Sequence, residues 1–320
     1  GIGHPGVDVI VVLAQGGDEG AVRLVARLRH RLGDQPGHRP GDRLGPVVRL
    51  VTDAELAMGA RVRHRPPGGP PRPAGPADPV GPPAPADPVG ADRVVLPDGT
   101  ALGAETVRVV YNRLPGLAPP QFDRARPADR DYAAMEASAW LVSWLAGLGD
   151  RVVNRPSPRG AAGPDLGPLE ALARAQRAGL PVHGVALTTH LARPGRAGWA
   201  RWVRHRAPAA GYPLRLTAPP PVDGAPAGHR AGVLVEPGQG RACRVLVAGR
   251  QVLDGPPGLP AEGCRRLAAD LGCRVLELSV VTRPDGAPAV VSVDPLPPLV
   301  SAAQVAAVAD LLYELAEVPA

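Results

Sequence analysis

Cys243-Arg244-Val245-Leu246-Val247-Ala248-Gly249-Arg250-Gln251-Val252-Leu253 reads as two short apolar strands folded back at Ala248-Gly249, an antiparallel hairpin. Upstream of it, Gly232-Val233-Leu234-Val235-Glu236 is another antiparallel strand. Downstream, a helix is expected over about 260–271, then the strand Arg274-Val275-Leu276-Glu277-Leu278-Ser279-Val280-Val281. A turn at Pro284-Asp285-Gly286 leads into Ala289-Val290-Val291-Ser292-Val293-Asp294-Pro295, and a last helix covers roughly 302–315. The C-terminal half is thus built of hairpins and helices in layers.

The other end of the chain has a different grammar. Val7-Asp8-Val9-Ile10-Val11-Val12-Leu13-Ala14 is a continuous apolar run suited to a strand buried on both faces. Gly16-Gly17-Asp18-Glu19-Gly20 follows it as a helix start, because acidic residues there would repel a phosphate. The helix is expected over 18–32, with Val22, Leu24, Val25 and Leu28 inward. Val47-Val48-Arg49-Leu50-Val51 is a second strand, with a short helix from Asp53. Strand–helix–strand order implies a parallel, Rossmann-like sheet.

Between residues 64 and 91 all periodicity is lost, and Pro-Ala-Asp-Pro-Val-Gly occurs twice, beginning at Pro76 and Pro85. Such a segment cannot bury a face and is expected to be a flexible insertion. Order resumes with Arg93-Val94-Val95-Leu96-Pro97-Asp98-Gly99-Thr100, where Asp-Gly signals a hairpin, and with the strand Val107-Arg108-Val109-Val110-Tyr111. A helix over 130–148 is expected to point Tyr132, Met135, Ala139, Val142 and Leu145 inward. Val152-Val153-Asn154 and Val185-Ala186-Leu187-Thr188 are short strands, and the helix over 169–178 between them stops at Gly179. The expected fold class is α/β with an α+β C-terminal half. Residues 1–63 with 92–150 form an N-terminal domain, 64–91 the insertion, and 151–320 the second domain.

Composition removes several chemistries. The 36 Lys+Arg residues are all arginine. Heavy Ala, Gly, Pro and Arg usage is what GC-rich coding produces, but the consequence is chemical: a lysine nucleophile, a Schiff base and a P-loop lysine are excluded. The net charge of +6 is spread along the chain and accompanies no recognisable DNA- or RNA-binding module, so nucleic acid is not expected as a partner. Cys243, Cys264 and Cys273 match no metal or redox spacing and read as small buried hydrophobes. The eight histidines show no ligand spacing and are expected mostly at the surface. With no signal peptide and no membrane-length apolar run, a cytoplasmic protein is the expectation.

Several of these phrases, taken in order, resemble the ATP-grasp superfamily, and among its members the RimK-like ligases and the maturases of ribosomal peptides. Val94 to Pro115, ending Asn112-Arg113-Leu114-Pro115, looks like the family's lead-in to an Arg-Arg-Pro-like segment. Val152-Val153-Asn154-Arg155-Pro156 looks like its strand end. The passage from Leu169 to Thr189 resembles its helix, Gly-Leu-Pro-Val and strand. Glu236 and Cys243-Arg244-Val245-Leu246-Val247 look like the adenine-hinge strand and the strand after it. Leu276-Glu277-Leu278 through Ser292-Val293-Asp294-Pro295 looks like the two metal-ligand strands. Together these span 93–320, with the N-terminal unit in the expected place.

In that family ATP activates a carboxylate as an acyl phosphate, which an amine attacks. The resemblance therefore implies ATP and Mg²⁺ as cofactors, and a peptide, an amino acid or a partner protein as the other ligand. It places Arg244 on phosphate, the alternative being a solvated strand arginine. Glu236 falls at the nucleotide hinge or caps a loop, and Glu277 is the first metal carboxylate or a surface strand residue. Asp294 remains able to bind a cation where the family has Glu-x-Asn and this chain has Ser292-Val293-Asp294. One family lysine falls at Gly167 or Pro168; for the other only Arg215 or Thr217 is near, and 189–233 holds no glycine-rich loop. These departures imply a degenerate nucleotide site and a non-catalytic binding or accessory protein. The alternative is an active ATP- and Mg-dependent carboxylate–amine ligase that uses arginine for lysine.

Overall fold

The computed structural model describes residues 8–33, 46–63, 93–158, 160–183, 185–188, 200–202, 232–235, 243–283 and 285–317. The expected insertion at 64–91, together with Glu236 and Arg215, lies outside them. Contacts divide the chain into one unit made of Gly1–Ala162 with Leu312–Ala320, and a second made of Gly163–Leu311.

The first unit begins β1 (Val9–Ala14), α1 (Glu19–Arg31), β2 (Val47–Thr52). The short helix expected from Asp53 follows, its turn at Glu55–Gly59 being of π type. β3 (Arg61–Arg63), β4 (Arg93–Val95) and β5 (Ala101–Gly103) make a small antiparallel sheet. The predicted Asp98-Gly99 turn joins the last two, Gly99 adopting φ +85°. β6 (Val107–Asn112), α2 (Pro127–Gly147) and β7 (Val152–Val153) follow. The main sheet runs β2-β1-β6-β7, and every neighbour pair in it is parallel. All six residues of β1 are buried, which is why its sequence is a run and not an alternation.

Helix α1 starts as its sequence requires: the Asp18 carboxylate accepts from the Ala21 N–H at 3.0 Å, capping the first turn. Its buried face is Ala21, Leu24, Val25 and Leu28, and Val22 is exposed. A 3.6-residue turn puts 21, 24, 25 and 28 on one stripe and rotates 22 off its edge. Helix α2 departs further, for Tyr132, Met135 and Ala139 are exposed, and Leu141, Trp144 and Leu145 are buried. Its C-terminal half is apolar on every side, so periodicity could not choose a face; the Trp144 ring, the largest fully buried side chain, takes the core.

The second unit comprises α3 (Pro168–Arg177), β8 (Val185–Thr188), β9 (Ala200–Trp202), β10 (Gly232–Val235), β11 (Cys243–Ala248), β12 (Gln251–Leu253), α4 (Ala261–Asp270), β13 (Val275–Thr282), β14 (Pro288–Asp294) and the start of α5 (Ala302–Glu317). Strands β8, β10 and β9 form an antiparallel sheet in that order, and β12-β11-β13-β14 forms another. The β11–β12 hairpin pairs Ala248 with Gln251, so its turn is Gly249-Arg250, one residue later than the sequence suggested, with Gly249 at φ +56°. Leu172 and Ala175 of α3, and Cys264, Leu267 and Ala268 of α4, pack on one face of this sheet against Val245, Val247, Leu276, Leu278, Val280 and Val290. Burial pushes the Cys264 thiol up to about 11 and the Cys273 thiol to about 12, so both are inert core residues. At the start of α5, Ser301 Oγ accepts from the Gln304 N–H and the Gln304 amide oxygen accepts from Val300 and Ser301, a reciprocal cap. The Gln304 amide nitrogen also donates to Asp254 at 2.9 Å, tying the helix start to the end of β12.

Candidate functional site

Because one face of the β12-β11-β13-β14 sheet is covered by helices, alternate residues of the same strands must point the other way. On that second face register sets two rows. Arg244 stands opposite Ser279, which stands opposite Ser292; Leu246 stands opposite Glu277, which stands opposite Asp294. A bulge makes the second half of each row work. Ser279 pairs with Ser292 but Val280 pairs with Val290, so Val291 is an extra residue on β14. Without it Ser292 and Asp294 would turn toward the helices. Register alone thus brings together three of the five site residues named from sequence: Arg244, Glu277 and Asp294.

Glu277 is 5% exposed, and its Oε2 is buried without a hydrogen-bond partner among the described residues. Its Oε1 lies 3.7 Å from Arg244 Nε, an ion pair too long to be a hydrogen bond. Burial pushes the Glu277 carboxyl up to about 7; Arg244 pulls it down and Asp294 opposes that pull. The surface-glutamate alternative is therefore wrong for this position. Arg244, by contrast, keeps 38% of its side chain exposed and bonds to no described residue apart from that ion pair.

The donors on this face fit a hard cation. Two carboxylates meet across adjacent strands with two hydroxyls alongside, an all-oxygen set. An orphaned carboxylate oxygen beside a second carboxylate is a place where positive charge lowers the energy of both. Among the described residues no group of three or more His, Cys, Asp or Glu side chains forms a complete cage. Mg²⁺ takes one or two carboxylates and completes its shell with water and phosphate oxygens, so two carboxylates are a donor set it can use. The arginine on the same face, with N–H groups to spare, is able to donate to an anionic ligand.

One residue was missed. His183, one of eight histidines expected mostly at the surface, is 3% exposed and has no partner for Nδ1 or Nε2 among the described residues. The available signal was its place at the end of Pro181-Val182-His183, a phrase read only for its resemblance. Pro168 and Gly167, at the start of α3, supply no cation, as the sequence already showed.

The sequence matches no protein-family model and no curated protein. Solved structures do share its architecture. The macrocyclase MdnC of Microcystis aeruginosa MRC, bound with the precursor peptide MdnA, aligns with TM-score 0.65 and 13% identity over 95% of this chain and 99% of its own. The ATP-grasp ligase PsnB, complexed with a minimal precursor, Mg and ADP, aligns with TM-score 0.61 and 17% identity over 96% and 98%. A ribosomal-peptide-associated ATP-grasp ligase of Chryseobacterium gregarium, with ADP and a leader and core peptide, aligns with TM-score 0.62 and 11% identity over 96% and 97%. The chain has the ATP-grasp fold and is a divergent example of it.

Proposed function

We propose that this protein is an ATP- and Mg²⁺-dependent carboxylate–amine ligase acting on a peptide. The observation that carries the reading is the pairing of Glu277 with Asp294 on the same sheet face as Arg244, within an ATP-grasp fold. Structural neighbours support a ligase over an accessory protein, since those with the same architecture hold nucleotide or precursor peptide.

Magnesium-bound ATP supplies the phosphoryl group that turns a carboxylate into an acyl donor. Within the chain, Glu277 and Asp294, opposite each other on adjacent strands, would hold the ion, and their negative charge would offset its desolvation. Arg244 would donate to a phosphate oxygen and, by staying beside Glu277, hold that carboxylate ionised against its burial. Ser279 and Ser292 share the Arg244 row as neutral hydroxyl donors. Glu236 and Arg215 keep the roles that the family resemblance assigns them, at the hinge and near the phosphates. No helix among the described residues is long and apolar enough to cross a membrane.

A non-catalytic role is the second reading, favoured by Ser292 in place of a carboxylate and by the absence of lysine. Calorimetry with Mg·ATP separates the two. Micromolar, magnesium-dependent binding supports the ligase, and no heat up to millimolar ATP sinks it. Arg244→Ala should weaken Mg·ATP about tenfold or more, the loss of one charge-assisted contact. Unchanged affinity would remove Arg244 from the site. Mass spectrometry of a candidate precursor peptide, showing loss of water only with ATP, tests the chemistry.

A further inference from the structure

We infer that His183 contacts the nucleoside end of the bound nucleotide, an inference that rests on the ligase reading above. After α3 the chain runs beside β14, with Val182 opposite Val290 in parallel register. The His183 N–H donates to the Val290 carbonyl at 2.9 Å, and the Val290 N–H donates to the Pro181 carbonyl at 2.8 Å. Val182 and Val290 both pack on the helix-covered side of the sheet. Alternation therefore puts His183 on the opposite face, with Arg244, Glu277, Ser279, Ser292 and Asp294.

On that face His183 is buried, yet neither ring nitrogen has a partner among the described residues, and Glu277 Oε2 shares that condition. Buried polar atoms nearly always find a partner. Orphans at two places on one face of one sheet point to a single ligand that supplies the missing donors and acceptors.

Position decides which part of the ligand each one meets. His183 lies level with Val291, three residues before Asp294 on β14, so about 10 Å separates it from the carboxylate row. No single cation bridges that distance. A nucleotide does, with its polyphosphate on the Glu277–Asp294 row and its sugar and base extending along the strand. A neutral imidazole offers one donor and one acceptor, which suits a sugar hydroxyl or the edge of a base. A role on the phosphates would instead place it within reach of the metal pair.

The test compares Mg·ATP with Mg·tripolyphosphate, which keeps the phosphates and lacks the nucleoside, by calorimetry on the full chain. His183→Phe should weaken Mg·ATP about tenfold and leave Mg·tripolyphosphate within about twofold, and His183→Gln should recover most of the ATP affinity. In the unmutated protein the ¹⁵N imidazole signals of His183 should shift on adding Mg·ATP and not on adding Mg·tripolyphosphate, a reading independent of whether the Phe variant folds. Equal weakening of both ligands, unchanged ATP affinity, or silent imidazole signals in the presence of bound ATP overturns the inference and leaves the ligase reading standing. If the unmutated protein binds neither ligand, both fall together.

Discussion

The parallel sheet of the first unit and the β12-β11-β13-β14 sheet of the second treat buried charge in opposite ways. Beside the parallel sheet, Arg113 follows β6 and is 5% exposed, but its guanidinium is fully engaged. Nε and Nη2 bond the two Asp18 oxygens at 2.8 and 3.1 Å, and Nη1 reaches the Tyr111 hydroxyl at 3.4 Å. Asp18 in turn caps α1. Every group there is answered from within the chain. On the antiparallel sheet Glu277 is as deeply buried, with one oxygen unanswered among the described residues and another carboxylate across from it. A satisfied pair holds a fold together. An unsatisfied one raises its energy and asks for a ligand.

That contrast can be broken at several points. Arg113→Ala empties a buried site and strips half-buried Asp18 of its partner, and should cost about 3–5 kcal/mol in urea unfolding, the largest effect expected. A loss below that of an exposed ion pair would show that the first-unit pair is dispensable. Glu277→Gln should move the other way. The Glu277 carboxyl binds its proton more tightly folded, near 7, than at its ordinary 4.5, so stability is highest below 4.5 and falls as pH rises through 7. The variant should be more stable than the unmutated protein at pH 8, by on the order of 3 kcal/mol, and should lose that slope. A destabilised variant at pH 8 would mean that the carboxylate is well paired after all.

Smaller effects sharpen the same comparison. Asn112 donates to the Leu114 and Ala161 carbonyls and accepts from the Leu114 N–H, closing the end of β6. Asn112→Ala should cost about 1–3 kcal/mol by stranding those backbone groups, measured by the same unfolding curve. Arg265→Ala on α4 breaks a half-exposed pair with Glu262 and an exposed hydrogen bond to the Arg250 carbonyl, and should change stability by less than about 1 kcal/mol. If it cost as much as Arg113→Ala, burial would not be what separates the two classes of charge.

Much of this was legible in the residues. The run in β1, the helix start at Asp18, the Gly179 stop and the Asp98-Gly99 turn are local signals, and the structure reproduces each. The face of α2 was not legible, because an apolar helix offers no amphipathic stripe to read. Nor was the burial of His183, since nothing in Pro181-Val182-His183 says which neighbour will cover the ring. Of the site, the candidates Arg244, Glu277 and Asp294 came from resemblance, and the structure puts them on one sheet face. Glu236 and Arg215 lie outside the described residues.

What the sequence determined alone was the order and kind of elements, because strand, turn and cap preferences are written in contiguous residues. The exclusion of lysine chemistry is of the same kind. Tertiary structure decided that Glu277 faces Asp294, that Val291 bulges so Ser292 and Asp294 stay on the polar face, and that burial raises one carboxyl toward neutrality. Those depend on register between strands and on what packs over them. Such pairings form across the sheet, where the apolar face seeks its helices, and the polar face is placed as the consequence.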